Sequence, residues 1–215
     1  MNRFILKYPW ILKKLYPNRL SRMATEKTLF LSFDDGPIPE VTPWVLAQLE
    51  KYAAKATFFC IGDNIGKHPE VFKKIKDNGH AIGNHTFNHL NGWKTSTSEY
   101  LENFKKTEQI IESELQKTLS SKEKLFRPPY GKIKNKQAAQ ITTLNYKIVM
   151  WDVITGDYNK GYDAQKCLEN TLNLIRPGSI IVFHDSLKAE KNLKYILPKI
   201  LEQYTQMGWQ FKSLT

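Results

Sequence analysis

Thr28-Leu29-Phe30-Leu31-Ser32-Phe33-Asp34-Asp35-Gly36-Pro37 is a short apolar run that stops on two carboxylates and a turn. The run has the length of one buried strand, and Gly-Pro after it makes the chain change direction. Adjacent carboxylates at the end of such a strand repel each other and are costly to desolvate, so a purely structural role explains them poorly. The same arrangement returns along the 215 residues. Apolar runs at 28–33, 56–61, 80–83, 124–126, 147–151, 179–183 and, more weakly, 209–211 alternate with amphipathic stretches at 40–52, 69–78, 98–117, 134–144, 163–175 and 191–207. Strands alternating with helices predict a parallel α/β architecture. Seven strands fit a distorted or incomplete (β/α) barrel, with an open doubly wound sheet as the alternative. Residues 27–215 are expected to form this domain, and residues 1–26 an arm or helix packed on it.

Nearly every run ends in polar, chemically capable residues. The first ends in Asp34 and Asp35, the second in Gly62-Asp63-Asn64, the third in Asn84-His85 and the fourth in Arg127-Pro128-Pro129-Tyr130. The fifth ends in Asp152, with Asp157 shortly after, and the sixth in His184-Asp185. Active sites of parallel β/α folds gather at the C-terminal ends of the strands, so these residues are predicted to share one cleft.

Composition narrows the classes. At 41% hydrophobic residues the chain supports a full core and is not a disordered polymer. Its net charge of +11 favours anionic partners. The basic residues, Lys73, Lys74 and Lys76 among them, fall in amphipathic stretches, and no nucleic-acid motif accompanies them. No nucleic-acid partner is therefore expected. Two cysteines, Cys60 and Cys167, make no disulfide framework and fit a reducing compartment. The apolar residues before Met23 are interrupted by Lys7, Lys13, Lys14 and Arg19, so no run reaches signal-peptide or membrane-spanning length. On that ground the expected location is the cytoplasm. Oligomeric state is left open.

His85-Thr86-Phe87-Asn88-His89 puts two histidines at i and i+4, which on a helical turn would share one face and one metal ion. With one carboxylate of the Asp34–Asp35 pair they make a three-ligand site with open positions. A metal there lowers the pKa of bound water to about 7 and polarises a carbonyl oxygen. The other carboxylate is then free to serve as general base. His184, delivered to the rim by a buried strand, is read as the acid for the leaving group. Two prolines stiffen Arg127-Pro128-Pro129-Tyr130, which suits holding the arginine against an aspartate and presenting the Tyr130 N–H to an oxyanion.

In this order the motifs resemble the polysaccharide deacetylase family, whose domain is the NodB homology domain of carbohydrate esterase family 4. Ser32 to Pro37 is similar to its Thr/Ser-Phe-Asp-Asp-Gly-Pro segment, His85 to His89 to its His-Ser/Thr-x-x-His, and Arg127 to Tyr130 to its Arg-x-Pro-Tyr. Asp157-Tyr158 and Val182-Phe183-His184 resemble its last two motifs more loosely. The resemblance implies a distorted (β/α) barrel that hydrolyses N-acetyl, or sometimes O-acetyl, groups on a sugar polymer. By position it implies Asp34 as base, Asp35, His85 and His89 as ligands of a metal that is usually zinc, Arg127 as the partner of Asp34, and His184 as acid with Asp157 behind it. Co²⁺, Ni²⁺ and Mn²⁺ also suit the donor set. Tyr158 stands where the family often has Trp, and Val182 where it often has Leu, both in the pocket for the acetyl methyl. Tyr130, Tyr158, Trp151 and Trp93 are candidates to stack on sugar rings.

Other classes fit less well. A two-His, one-carboxylate set also serves non-haem iron oxygenases, but usually on all-β folds and without a second aspartate. An inactive carbohydrate-binding relative would not need the whole set of ionisable residues.

Overall fold

The structure, a computed structural model, describes residues 6–214. Its strands are β1 Thr28–Asp34, β2 Ala56–Cys60, β3 Ala81–Asn84, β4 Leu125–Phe126, β5 Lys147–Ile148, β6 Val153–Ile154, β7 Ile180–His184 and β8 Gln210–Phe211. They form one sheet in the order β5-β4-β3-β2-β1-β7-β6, with β8 added on β1, and the pairs are parallel. That order is the circular order of a barrel cut open between β5 and β6. A doubly wound sheet would instead reverse direction at a switch point. The architecture is therefore the incomplete (β/α) barrel.

All seven residues of β1 are buried, as expected for a parallel strand with a neighbour on each side and layers on both faces. Phe33 stacks between Phe58 and Phe183, with ring centroids 4.9 and 5.4 Å away. Register brings the strand ends to one level, with Asp34 paired to Phe59 of β2 and to His184 of β7. The helices are α1 Trp10–Leu15, α2 Thr42–Lys51, α3 Gly62–Lys67, α4 Pro69–Asp77, α5 Thr97–Leu115, α6 Asn135–Thr143, α7 Ala164–Leu174 and α8 Glu190–Gln206. The Ser96 hydroxyl caps α5 by accepting from the Glu99 N–H, and Tyr100, Phe104, Thr107, Ile111 and Leu115 form its buried stripe. None of these helices is long and apolar enough to cross a membrane.

Two expectations need correction here. The run at 147–151 is not one strand: β5 ends at Ile148, and Val153–Ile154 is a further strand that the sequence reading did not separate. Asp152 lies between them and does not face the rim. Its carboxylate is buried at the start of β7, bonded to Lys7 (2.7 Å), Lys13 (3.0 Å) and the Ser179 hydroxyl (2.6 Å). Helix α3 was also unforeseen, because its Gly-Asp-Asn opening reads as a turn.

Residues 6–26 lie along the open seam. Leu20 bridges to Val149 beside β5, and Lys7 to Val153 of β6. The expected arm begins at residue 1; its apolar Phe4 and Ile5 fall outside the described residues. Cys60 and Cys167 are both buried and free.

Candidate active site

The ends of β1, β3, β4 and β7 open into one cleft of about 490 Å³ that takes in Asp34, Asp35, His85, His89, Arg127 and His184. Arg127 forms the buried anchor. Its Nη1 donates to Asp34 Oδ1 at 2.6 Å and to Ser32 Oγ at 2.9 Å. Nη2 and Nε donate to the carbonyls of Met150 and Val149, at 3.0 and 3.4 Å. The group also lies 4.1 Å over the Phe59 ring. A guanidinium so tied is an immobile countercharge. Burial pushes the Asp34 carboxyl up, but Arg127, His85 and His184 together outweigh it and hold it below the usual carboxylate range.

Asp35 takes a left-handed backbone, φ 82°, so the chain leaves the strand direction directly after Asp34. The next position tolerates only glycine, because a Cβ on Gly36 would collide with the Asp185 carboxylate. That carboxylate accepts from the Gly36 N–H (3.1 Å) and the Thr42 hydroxyl (2.6 Å). Burial pushes the Asp185 carboxyl up to about 8. Asn64 Nδ2 donates to the Asp35 carbonyl at 2.7 Å.

Asp35 Oδ1 lies 3.2 Å from His89 Nε2 and 3.7 Å from His85 Nε2, and it is buried without a hydrogen-bond partner. The ligand atoms of Asp35, His85 and His89 fall within 4.8 Å of one another. His85 Nδ1 is 2.7 Å from the Arg127 carbonyl. A carbonyl only accepts, so Nδ1 carries a hydrogen and Nε2 is the nitrogen left to face Asp35. Burial, reinforced by His85, pushes His89 down to about 4 against the pull of Asp35 and Asp34, which keeps that ring neutral. An orphaned carboxylate oxygen facing two imidazole nitrogens is a donor set that fits a divalent metal ion.

The route by which the histidines meet differs from the expected one. Residues 85–89 are not a helical turn but a loop, with Thr86 and His89 left-handed at φ 61° and 54°. The ring centroids still come within 5.0 Å. Side-chain amides clamp the loop. Asn84 Oδ1 accepts from the Thr86 N–H (2.8 Å), and Asn103 Oδ1 of α5 from the Phe87 and Asn88 N–H groups (2.7 and 2.9 Å). In the sequence Asn64, Asn84 and Asp185 are visible only as polar residues that follow apolar runs. In the structure Asn84 ends β3, Asp185 follows β7 and Asn64 lies in α3, while Asn103, in the middle of a helix, carries no sequence signal.

On the far side Asp157 accepts twice from His184, from Nδ1 at 2.8 Å and from the backbone N–H at 2.8 Å. Burial pushes the His184 imidazole down, but Asp157, then Asp35 and Asp34, outweigh it and raise it to about 9. Tyr158 meets the His184 ring edge-on at 4.6 Å, and Tyr158, Val182 and Trp151 line the cleft. Tyr130 leans on His89 at 4.5 Å. Tyr130 and Trp93 are each 61% exposed, so neither belongs to the core.

Residues 21–149 match a family model described as polysaccharide deacetylase. The chain belongs to the polysaccharide deacetylase family. The matched span takes in Asp34, Asp35, His85, His89, Arg127 and Tyr130 and stops short of Asp157 and His184. A peptidoglycan-N-acetylglucosamine deacetylase of Bacillus cereus is 36% identical over 208 residues, covering 96% of this chain and 73% of that one. A chitooligosaccharide deacetylase of Azorhizobium caulinodans is 33% identical, covering 77% of each. Among solved structures, a peptidoglycan N-acetylglucosamine deacetylase in complex with 4-naphthalen-1-yl-N-oxidanyl-benzamide is 35% identical. It superposes with a TM-score of 0.85 over 96% of this chain and 94% of that one. The chain is thus a polysaccharide deacetylase by family, a hydrolase on the same incomplete barrel.

Proposed function

We propose that the chain removes N-acetyl groups from the glycan strands of peptidoglycan, with a divalent ion, Zn²⁺ first, held by Asp35, His85 and His89. One observation carries the reading: Asp35 Oδ1 is buried without a hydrogen-bond partner in front of two imidazoles, beside an aspartate that Arg127 holds ionised. The choice of peptidoglycan rests on what similar deacetylases are named for. When bound, such an ion supplies Lewis acidity to the acetyl carbonyl and acidifies a neighbouring water.

The rest of the chemistry is assigned to side chains. Asp34 takes the proton of the attacking water as oxygen adds to the acetyl carbon. Arg127 keeps Asp34 charged and fixed in place. The Tyr130 N–H is the donor assigned to the developing oxyanion. His184 then gives its Nε2 proton to the sugar nitrogen as the C–N bond breaks, leaving acetate and a free amine. Because Asp157 accepts from Nδ1, the proton available for transfer sits on Nε2. Tyr158, Val182 and Trp151 form the wall assigned to the acetyl methyl and the sugar ring.

The test is acetate release from peptidoglycan, N-acetylglucosamine oligomers and acetylated xylan, with the protein metal-stripped and then restored with Zn²⁺ or Co²⁺. Metal-dependent acetate from peptidoglycan is expected. No acetate from any substrate while metal is bound would overturn the reading in favour of a binding protein.

A further inference from the structure

The cationic side chains at the mouth of the cleft have no part in the chemistry above. Lys132 and Lys188 both line it. Lys132 follows the β4 loop and Lys188 follows β7, and in the sheet β3, β2 and β1 lie between those two strands. The two ammonium groups therefore enter from well-separated parts of the rim. Neither forms an ion pair among the described residues, where the paired lysines are Lys7, Lys13, Lys67, Lys117, Lys124 and Lys194. Each is instead poised over an aromatic ring, Lys132 Nζ 5.3 Å from the centroid of Trp93 and Lys188 Nζ 5.5 Å from that of Tyr158. Such contacts restrain a lysine and leave its N–H donors unspent. Of the two carboxylates that line the cleft, Asp34 is matched by Arg127, and Asp35 faces the His85 and His89 imidazoles. Lys188 also borders an adjoining hollow of about 540 Å³, which it shares with Lys160 and Lys191. The acid in that hollow nearest to solvent, Asp163, is engaged in capping α7 through the Lys166 N–H.

A neutral sugar polymer has no use for two uncompensated ammonium groups beside its path, whereas a polymer with carboxylates on the sugars flanking the reacting one does. We propose that Lys132 and Lys188 are specificity residues that bind carboxylate substituents on the sugars either side of the N-acetyl group being removed. This rests on the deacetylase reading above. It adds that the enzyme prefers an anionic glycan to a neutral one, and it names the residues that read the charge.

The experiment compares peptidoglycan glycan strands carrying free lactyl carboxylates with the same strands methyl-esterified, following acetate. The parent protein should show a KM about three- to tenfold lower for the free acid, the size that one or two partly exposed ion pairs supply. This preference should fade as salt rises, because exposed charges are screened. Lys188→Gln should shrink it and Lys132→Gln/Lys188→Gln abolish it, mainly through KM. Lys188→Arg should keep it, and Lys105→Gln, on α5, should leave it untouched. Equal KM for the two polymers in the parent, or a preference that survives the double substitution, would overturn this inference alone. The salt series on the parent decides the matter even if a variant misfolds. No acetate from either polymer would sink the deacetylase reading and this inference with it.

Discussion

Two buried aspartates five residues apart, Asp152 and Asp157, do opposite work at opposite ends of the barrel. Asp152 sits at the base, where Lys7, Lys13 and Ser179 saturate it and so bolt residues 6–26 across the seam between β5 and β6. Burial pushes its carboxyl up, but those three bonds outweigh it, so it is held below the usual range. Asp157 sits at the rim, where it accepts from His184 and leaves that ring's other nitrogen facing the cleft. The first arrangement spends every polar group internally. The second ends on groups with capacity left over, His184 Nε2 and the orphaned Asp35 Oδ1. What separates a functional buried charge from a structural one is thus the unspent valence beside it.

That difference predicts that rim substitutions take away turnover and spare the fold, while base substitutions do the reverse. The largest effect is expected for His85→Ala, which should reduce both bound metal and acetate release to background. Asp157→Asn should retain metal and lower kcat by about a hundredfold, since it removes the group that orients the acid. At the base, Asp152→Ala should cost about 3 kcal/mol in urea unfolding. The figure stays at the low end because Lys7 and Lys13 keep 33% of their side chains exposed and are not stranded. Turnover per folded molecule should change less than about twofold, as for other sites remote from the chemistry. A large loss of turnover there would erase the contrast.

The smallest effect concerns pH. In the metal-free protein the His184 imidazolium should lose its proton near pH 9, followed by NMR. Its pKa is raised on folding, so the stabilisation is complete below the ordinary histidine value of about 6.5 and drains away as pH rises through about 9. Asp157→Asn should bring the titration down. An unchanged midpoint would deny the pair its role.

Much of this was legible in the sequence. The apolar runs located the long strands, because a strand buried on both faces is nearly all apolar, and the polar residues that stop each run marked the rim. The short strands were less visible. Two-residue β6 has no periodicity of its own, and the run before it continues past β5 into the carbonyls that cradle Arg127, so strand and cradle look alike. The His85–His89 spacing drew attention to two residues that the structure does bring together, but by another route: left-handed residues and asparagine clamps, not a helix, join them. Asn103 was invisible because its contacts lie 15 and 16 residues away and an asparagine within a helix usually means nothing. By residue type and position alone Asp152 and Asp157 look alike; the family resemblance singled out Asp157, and the fold shows that one carboxylate points to the base and the other to the rim.

The central claim is that Asp35 holds the metal and Asp34 the proton. Asp34→Asn separates them, read as bound Zn²⁺ per chain alongside acetate release from peptidoglycan. The account predicts one ion retained and turnover lowered by about a thousandfold or more. Near-native turnover, or loss of the ion together with activity, would contradict it.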